Sequence, residues 1–149
     1  MEEYCADNQV NYAEFVPWEE SAAIQLLQHH DIDVIVLAGF LKKVGGDLLH
    51  LFPNRIINIH PALLPNYGGK GMYGRYVHEA VWRAKETESG ITIHLVNEHY
   101  DEGAILKQYR CPLGPNDSPV DIENRVRELE LRYLPAAVAE FCGSTYGVQ

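Results

Sequence analysis

This sequence lacks most of the features that place a chain in a class at sight. No apolar run approaches the roughly 20 residues that span a membrane. The three cysteines, Cys5, Cys111 and Cys142, are odd in number and scattered. They form neither a disulfide framework nor a zinc pattern, and they suit a reducing cytoplasm. Positive charge is scarce: 12 Lys and Arg stand against 21 Asp and Glu, a formal net charge of −9. That balance argues against nucleic acid as the main partner, although local dipoles still allow a small anion to bind. Repeats and low-complexity segments are absent, and the acidic opening Met1-Glu2-Glu3 has no signal or transit pattern. Seven histidines are present, yet no H-E-x-x-H and no Cys/His cluster appears, so no metal is expected.

What is present is 149 residues, of which 46% are hydrophobic. That is enough for one domain with a real core and too apolar for disorder. Residues 1–9 read as the end of a helix and Tyr12 to Trp18 as a weak strand. Glu19 to His30 has the apolar spacing of a helix. The run Asp33 to Phe40 (DVIVLAGF) reads as a parallel strand covered on both faces. A short helix follows over Val44 to Leu51, then a strand over Arg55 to His60. Four glycines make a flexible loop before a helix from Tyr76 to Lys85. Gly90 to Val96 and Ala104 to Arg110 read as strands that can pair as a hairpin. Ser118, with Asp121 three residues on, resembles the cap of a last helix ending near Phe141. The order predicts an α/β domain with a mixed sheet.

Three constellations carry chemistry. In Ile56-Ile57-Asn58-Ile59-His60-Pro61, residues two apart share a strand face, so Asn58 and His60 project together. Pro61 cannot donate to a ladder and should end the strand there. Ligands of open α/β sheets bind beyond the carboxyl ends of strands. An imidazole for proton transfer and an amide donor suit a carbonyl that becomes an oxyanion. A capping Asn58 with a satisfied interior His60 accounts for the spacing equally well. Asp101 lies in a tight turn; beside His60 it would favour imidazolium and raise the histidine's pKa, while a turn aspartate bonded to local backbone is the plainer reading. Glu98 and Glu102 read as solvated. The loop Asn66 to Arg75, with Lys70, is either an anion pocket or a mobile lid, and it matches neither G-x-G-x-x-G after a strand nor a P-loop. Thr92 and His94 share a face opposite Ile91, Ile93 and Leu95, and His94 reads as lining that face.

In combination, DVIVLAGFL, INIHPALLP, the HEAV helix and GITIHLVNEHYDEGAI resemble the formyltransferases that use 10-formyltetrahydrofolate. Within that family they most resemble the branch acting on phosphoribosylglycinamide in purine synthesis. The resemblance implies a Rossmann-like formyltransferase fold with a mostly parallel mixed sheet. It implies that Asn58 polarises the formyl oxygen, His60 is the acid/base and Asp101 raises its pKa. It places the folate, as formyl donor, against Leu41, Lys42, Lys43, Val44, Asn58 and Asn97. The glycinamide substrate falls against Glu130, with Arg127 a weaker match. His78 matches a histidine on a helix flanking the site. Small-molecule substrates and a cytoplasmic location follow, with neither metal nor nucleic acid nor membrane. Two departures are expected to matter. The family's opening strand and Gly-rich phosphate loop ending in Ser/Thr-Asn have no counterpart in residues 1–149. They would leave an incomplete domain with a sheet edge for a second copy or a partner chain to cover. An arginine of some relatives ahead of the DVIVLAGF strand is likewise missing from Glu19-Glu20-Ser21-Ala22. A deformylase-type hydrolase of the same formyl donor, or a non-catalytic remnant, are the alternatives; the GGKGMYG loop and Glu130 favour the glycinamide branch.

Overall fold

The computed structural model describes residues 2–146, and the chain divides into two compact units after Ile32. The first holds two helices, α1 (Glu2–Asp7) and α2 (Glu20–His29). Each ends in a left-handed residue, Gln9 at φ 57° and Asp31 at φ 50°. The backbone then folds back, with Val10 N donating to Cys5 O at 2.8 Å and Ile32 N to Leu27 O at 3.0 Å. These bonds satisfy carbonyls that a helix end leaves unpaired. Tyr12 to Trp18 is not a strand. Pro17 has no N–H to give a ladder, and its apolar neighbour Val16 stays 82% exposed.

The second unit carries a four-stranded sheet in the order β1 (Ile35–Leu37), β2 (Ile56–His60), β3 (Glu88–Leu95), β4 (Ile105–Pro112). Helices α3 (Gly46–Leu51), α4 (Arg75–Arg83) and α5 (Pro119–Tyr146) complete it. The sheet is mixed as expected, but parallel pairing is confined to β1 and β2; β2 with β3 and β3 with β4 run antiparallel. The strand expected over residues 33–40 shrinks to three residues. Gly39 at φ +74° turns the chain away, and Val36 is 37% exposed instead of covered.

Alternation along β2 and β3 divides the sheet into two faces. Ile57, Ile59, Ile91 and Ile93 pack with Val81 of α4 and Ile122, Val126 and Ala137 of α5 into the core. Each buried Ile or Val side chain among them contributes about 1.5–3 kcal/mol relative to exposure. Asn58, His60, Thr92 and His94 occupy the intervening positions, and the register sets Asn58 opposite His94 and His60 opposite Thr92. Helix α5 begins at a reciprocal cap. Asp121 N donates to Ser118 Oγ at 3.3 Å, and Ser118 N donates back to the Asp121 carboxylate at 2.8 Å. It passes through Pro135 and runs beyond Phe141 to Tyr146. Among the described residues no helix is long and apolar enough to cross a membrane.

Candidate active site

Strand β2 ends at His60, followed by Pro61, as its sequence requires. A cavity of about 880 Å³ opens there, beyond the carboxyl ends of β1 and β2. Its wall includes Asn58, His60 and Asp101 together, so the three residues separated in sequence meet in one place. Asp101 sits at φ 59° in the turn between β3 and β4, and its Oδ2 lies 3.6 Å from His60 Nδ1. Two glycines permit this approach. A Cβ on Gly68 would stand 3.1 Å from the Asp101 Cβ and 2.5 Å from Leu64. A Cβ on Gly103 would collide with Leu95 O at 1.7 Å.

The segment after His60 is fixed by Thr92, which uses its whole hydroxyl capacity. Its Oγ1 donates to Ala62 O at 2.7 Å and accepts from Leu64 N at 3.0 Å and Gln108 Nε2 at 3.0 Å. Gln108 Nε2 also donates to Leu64 O at 2.8 Å. Tyr67 adds a second anchor. Its backbone is left-handed, its hydroxyl donates to Glu86 at 2.6 Å, and its carbonyl accepts from His60 Nε2 at 2.7 Å. The Glu86 carboxylate holds the Tyr67 phenol protonated, its pKa pushed up to about 12.

These contacts decide the state of His60. A carbonyl can only accept, so His60 Nε2 carries hydrogen, and in the neutral ring Nδ1 is bare and faces Asp101. Asp101 raises the His60 pKa as expected, but burial outweighs it and holds the histidine below its ordinary value. Burial also pushes Asp101 up, yet its contact with His94, the Gly69 N–H at 2.8 Å and the charge of His60 together bring it below the usual carboxylate range. The result is an ionised carboxylate beside a neutral imidazole. A proton arriving on Nδ1 would be held between them.

The cavity wall also includes Leu41, the glycine loop Gly69–Gly74 with Lys70, His78 of α4, and Glu123, Arg127 and Glu130 of α5. Glu123, Arg127 and Glu130 stand four and three residues apart and so share one face of the helix. Burial raises the Glu130 pKa against the pull of Arg127. His78 is 4% exposed, and its shielded Nδ1 has no hydrogen-bond partner. Burial lowers its pKa despite Glu123 nearby. Lys42, Lys43, Val44 and Asn97 line a separate, narrow cleft of about 60 Å³ that shares Asn58, Tyr100 and Asp101 with the large cavity. The residues expected at the folate therefore fall on two cavities, with Leu41 on the larger. Tyr67 and Gln108 escaped the sequence reading, since the first acts through a carbonyl and the second sits on the neighbouring strand; Thr92 was placed on its face, but the bonds of its hydroxyl were not.

Comparison with known proteins gives the chain a family. The formyl transferase family profile matches residues 6–138. The chloroplastic phosphoribosylglycinamide formyltransferase of Arabidopsis thaliana is 43% identical over 122 residues, which is 82% of this chain and 42% of that protein. The Bacillus subtilis phosphoribosylglycinamide formyltransferase is 35% identical over 124 residues, 83% of this chain and 61% of its own length. A crystal structure of the Streptococcus pneumoniae phosphoribosylglycinamide formyltransferase superposes with a TM-score of 0.80 at 37% identity, covering 93% of this chain and 78% of that one. The chain thus spans about half the length of the curated relatives it matches. With the profile running through β2, the glycine loop and the Asp101 turn, this chain belongs to the formyl transferase family.

Proposed function

We propose that this chain carries out formyl transfer from 10-formyltetrahydrofolate to the amine of phosphoribosylglycinamide, a step of purine synthesis. The observation that carries the reading is the meeting of Asn58, His60 and Asp101 at one strand end, in a cavity whose far wall bears Glu130 and Arg127. The amine nitrogen attacks the formyl carbon, and the C=O π electrons move to oxygen. Asn58 donates an N–H to that oxyanion. A donor of this kind typically supplies about 10²–10³-fold. As the C–N bond forms, the amine loses a proton to His60 Nδ1, where Asp101 stabilises the imidazolium. The intermediate then collapses, the C–N bond to the folate breaks, and the proton returns to the folate nitrogen as it leaves. The lowered pKa of His60 keeps the ring neutral, so that Nδ1 is free to take this proton, and Asp101 offsets the weaker basicity by stabilising the imidazolium. No step requires a metal.

The folate lies against Leu41 and the cleft of Lys42, Lys43, Val44 and Asn97, with Asn58 at its reacting end. Glu130 and Arg127 face the glycinamide. We read residues 1–149 as parts of one formyltransferase domain. The free cysteines suit a reducing compartment, which we take to be the cytoplasm. Strand β1 has a partner on one side only among the described strands. Its other edge is where a further strand, from this protein or another chain, would add. The test is an assay with 10-formyltetrahydrofolate and the ribotide. Formylated ribotide and tetrahydrofolate in equal amounts are expected. Consumption of the donor at the same rate without ribotide would make the protein a hydrolase instead.

A further inference from the structure

We infer that His94 is a positioning residue, whose ring holds the Asn58 amide in the one orientation that offers an N–H to the formyl oxygen. The inference rests on the formyl-transfer reading of the site. His94 stands directly across from Asn58 in the β2–β3 register, on the same face. The pairing of β3 with β4 slips between Ile93 and His94, and such an irregularity re-aims a side chain. The ring is then locked by exclusive roles. Its Nδ1 lies 2.8 Å from Leu95 O, and a carbonyl only accepts, so Nδ1 carries the hydrogen. In the neutral ring Nε2 is bare and accepts. The Asn58 side-chain nitrogen lies 3.1 Å from it. Only the NH2 end of the amide can donate to a lone pair, so that end is fixed toward β3. One of its two hydrogens is committed to His94, and the other remains for the cavity that Asn58 lines. Turning the amide over would set its oxygen against the same lone pair. Asp101 Oδ1 lies 3.6 Å from Nε2, farther than the amide at 3.1 Å, so in the neutral ring the amide is the nearer partner and Asp101 engages only a protonated one.

Two measurements test this on the folded protein. In ¹⁵N-labelled wild type, an N–N coupling across the hydrogen bond between Asn58 Nδ2 and His94 Nε2 is expected, with Nε2 resonating as a bare imidazole nitrogen. No coupling, or a hydrogen on Nε2, overturns the inference. This readout needs no turnover, so it stands apart from the transfer reading, which fails if wild type forms no formylated ribotide. The second is a mutant cycle. His94→Leu should lower kcat about tenfold to a hundredfold with KM for the ribotide unchanged, the cost of a misplaced catalytic group. His94→Gln, whose carbonyl also accepts, should recover all but about threefold of that loss. Added to Asn58→Ala, His94→Leu should change kcat by less than about twofold, because the group it positions is gone. Losses that multiply in the double variant, or a Gln variant as impaired as the Leu variant, overturn the inference.

Discussion

On the β2–β3 side of the cavity, polar side chains have partners within the protein. Asn58 is bonded to His94, His60 to Tyr67, Thr92 to Ala62, Leu64 and Gln108, and Asp101 to Gly69. On the α4–α5 side, His78 has a shielded nitrogen without a partner, and Glu130 is held above its usual pKa by burial. The first side is preorganised: its groups are already aimed, so little reorganisation accompanies charge development. The unpartnered nitrogen of His78 on the second side suits a surface that reads a substrate. Substitutions on the two sides should therefore separate into losses of kcat and losses of binding.

The largest effect should come from the first side. His60→Ala removes the proposed proton acceptor and should lower kcat by about 10²–10⁴-fold. Steady-state transfer rates decide this, alongside circular dichroism to show the fold is kept. A variant with more than half the parental kcat would take His60 out of the chemistry and erase the contrast between the two sides.

Next is Thr92→Val, which keeps the shape but removes the hydroxyl. Leu64 N–H is then buried without an acceptor, at a cost of about 1–3 kcal/mol. The urea midpoint should fall accordingly, while Thr92→Ser should stay closer to wild type. Equal stability of the Val and wild-type proteins would show that the segment after His60 is held by packing and not by this hub.

How much of this was readable beforehand follows from what kind of signal each residue gives. Asn58 and His60 announce themselves by their spacing of two before a proline, and Asp101 by its turn. Both signals are local, and the structure brings the three residues to one cavity. His94 was seen on its face, but its link to Asn58 depends on which residues β2 and β3 set opposite each other, and one strand's sequence does not encode that. Tyr67 acts on His60 through its carbonyl, which every residue type possesses. The run Asp33 to Phe40 looked like a long covered strand because apolarity does not reveal where a glycine leaves the sheet, and Gly39 leaves it early.

A smaller effect distinguishes the two sides by pH. His60 and His78 both have pKa values lowered in the folded protein. The unfolded chain therefore binds protons that the folded one does not. Their contribution is present above the ordinary histidine pKa of about 6.5 and is lost as pH falls below it toward the folded values. One such group adds at most about 1.4 kcal/mol per pH unit to the slope. Urea midpoints from pH 7 to 5 should fall, and His78→Leu should make that fall shallower. An unchanged slope in the variant would mean that His78 titrates alike folded and unfolded.

The smallest effect belongs to Lys70, where the second side meets solvent. It lines the cavity from a loop of glycines, yet it is exposed. An exposed charge is screened within roughly 8–10 Å at moderate salt, and exposed charge pairs contribute about 0–1 kcal/mol. If the loop attracts the ribotide phosphate, Lys70→Ala should raise KM for the ribotide by about twofold to fivefold, within that range. It should leave kcat unchanged, because Lys70 has no place in the proposed proton path. The wild-type KM should rise with salt, and the variant's should rise less. A fall in kcat would place the loop in the chemistry and blur the division between the two sides. An unchanged KM at low salt, where screening is weakest, would make Lys70 a solvated side chain and leave the loop as a lid without charge recognition.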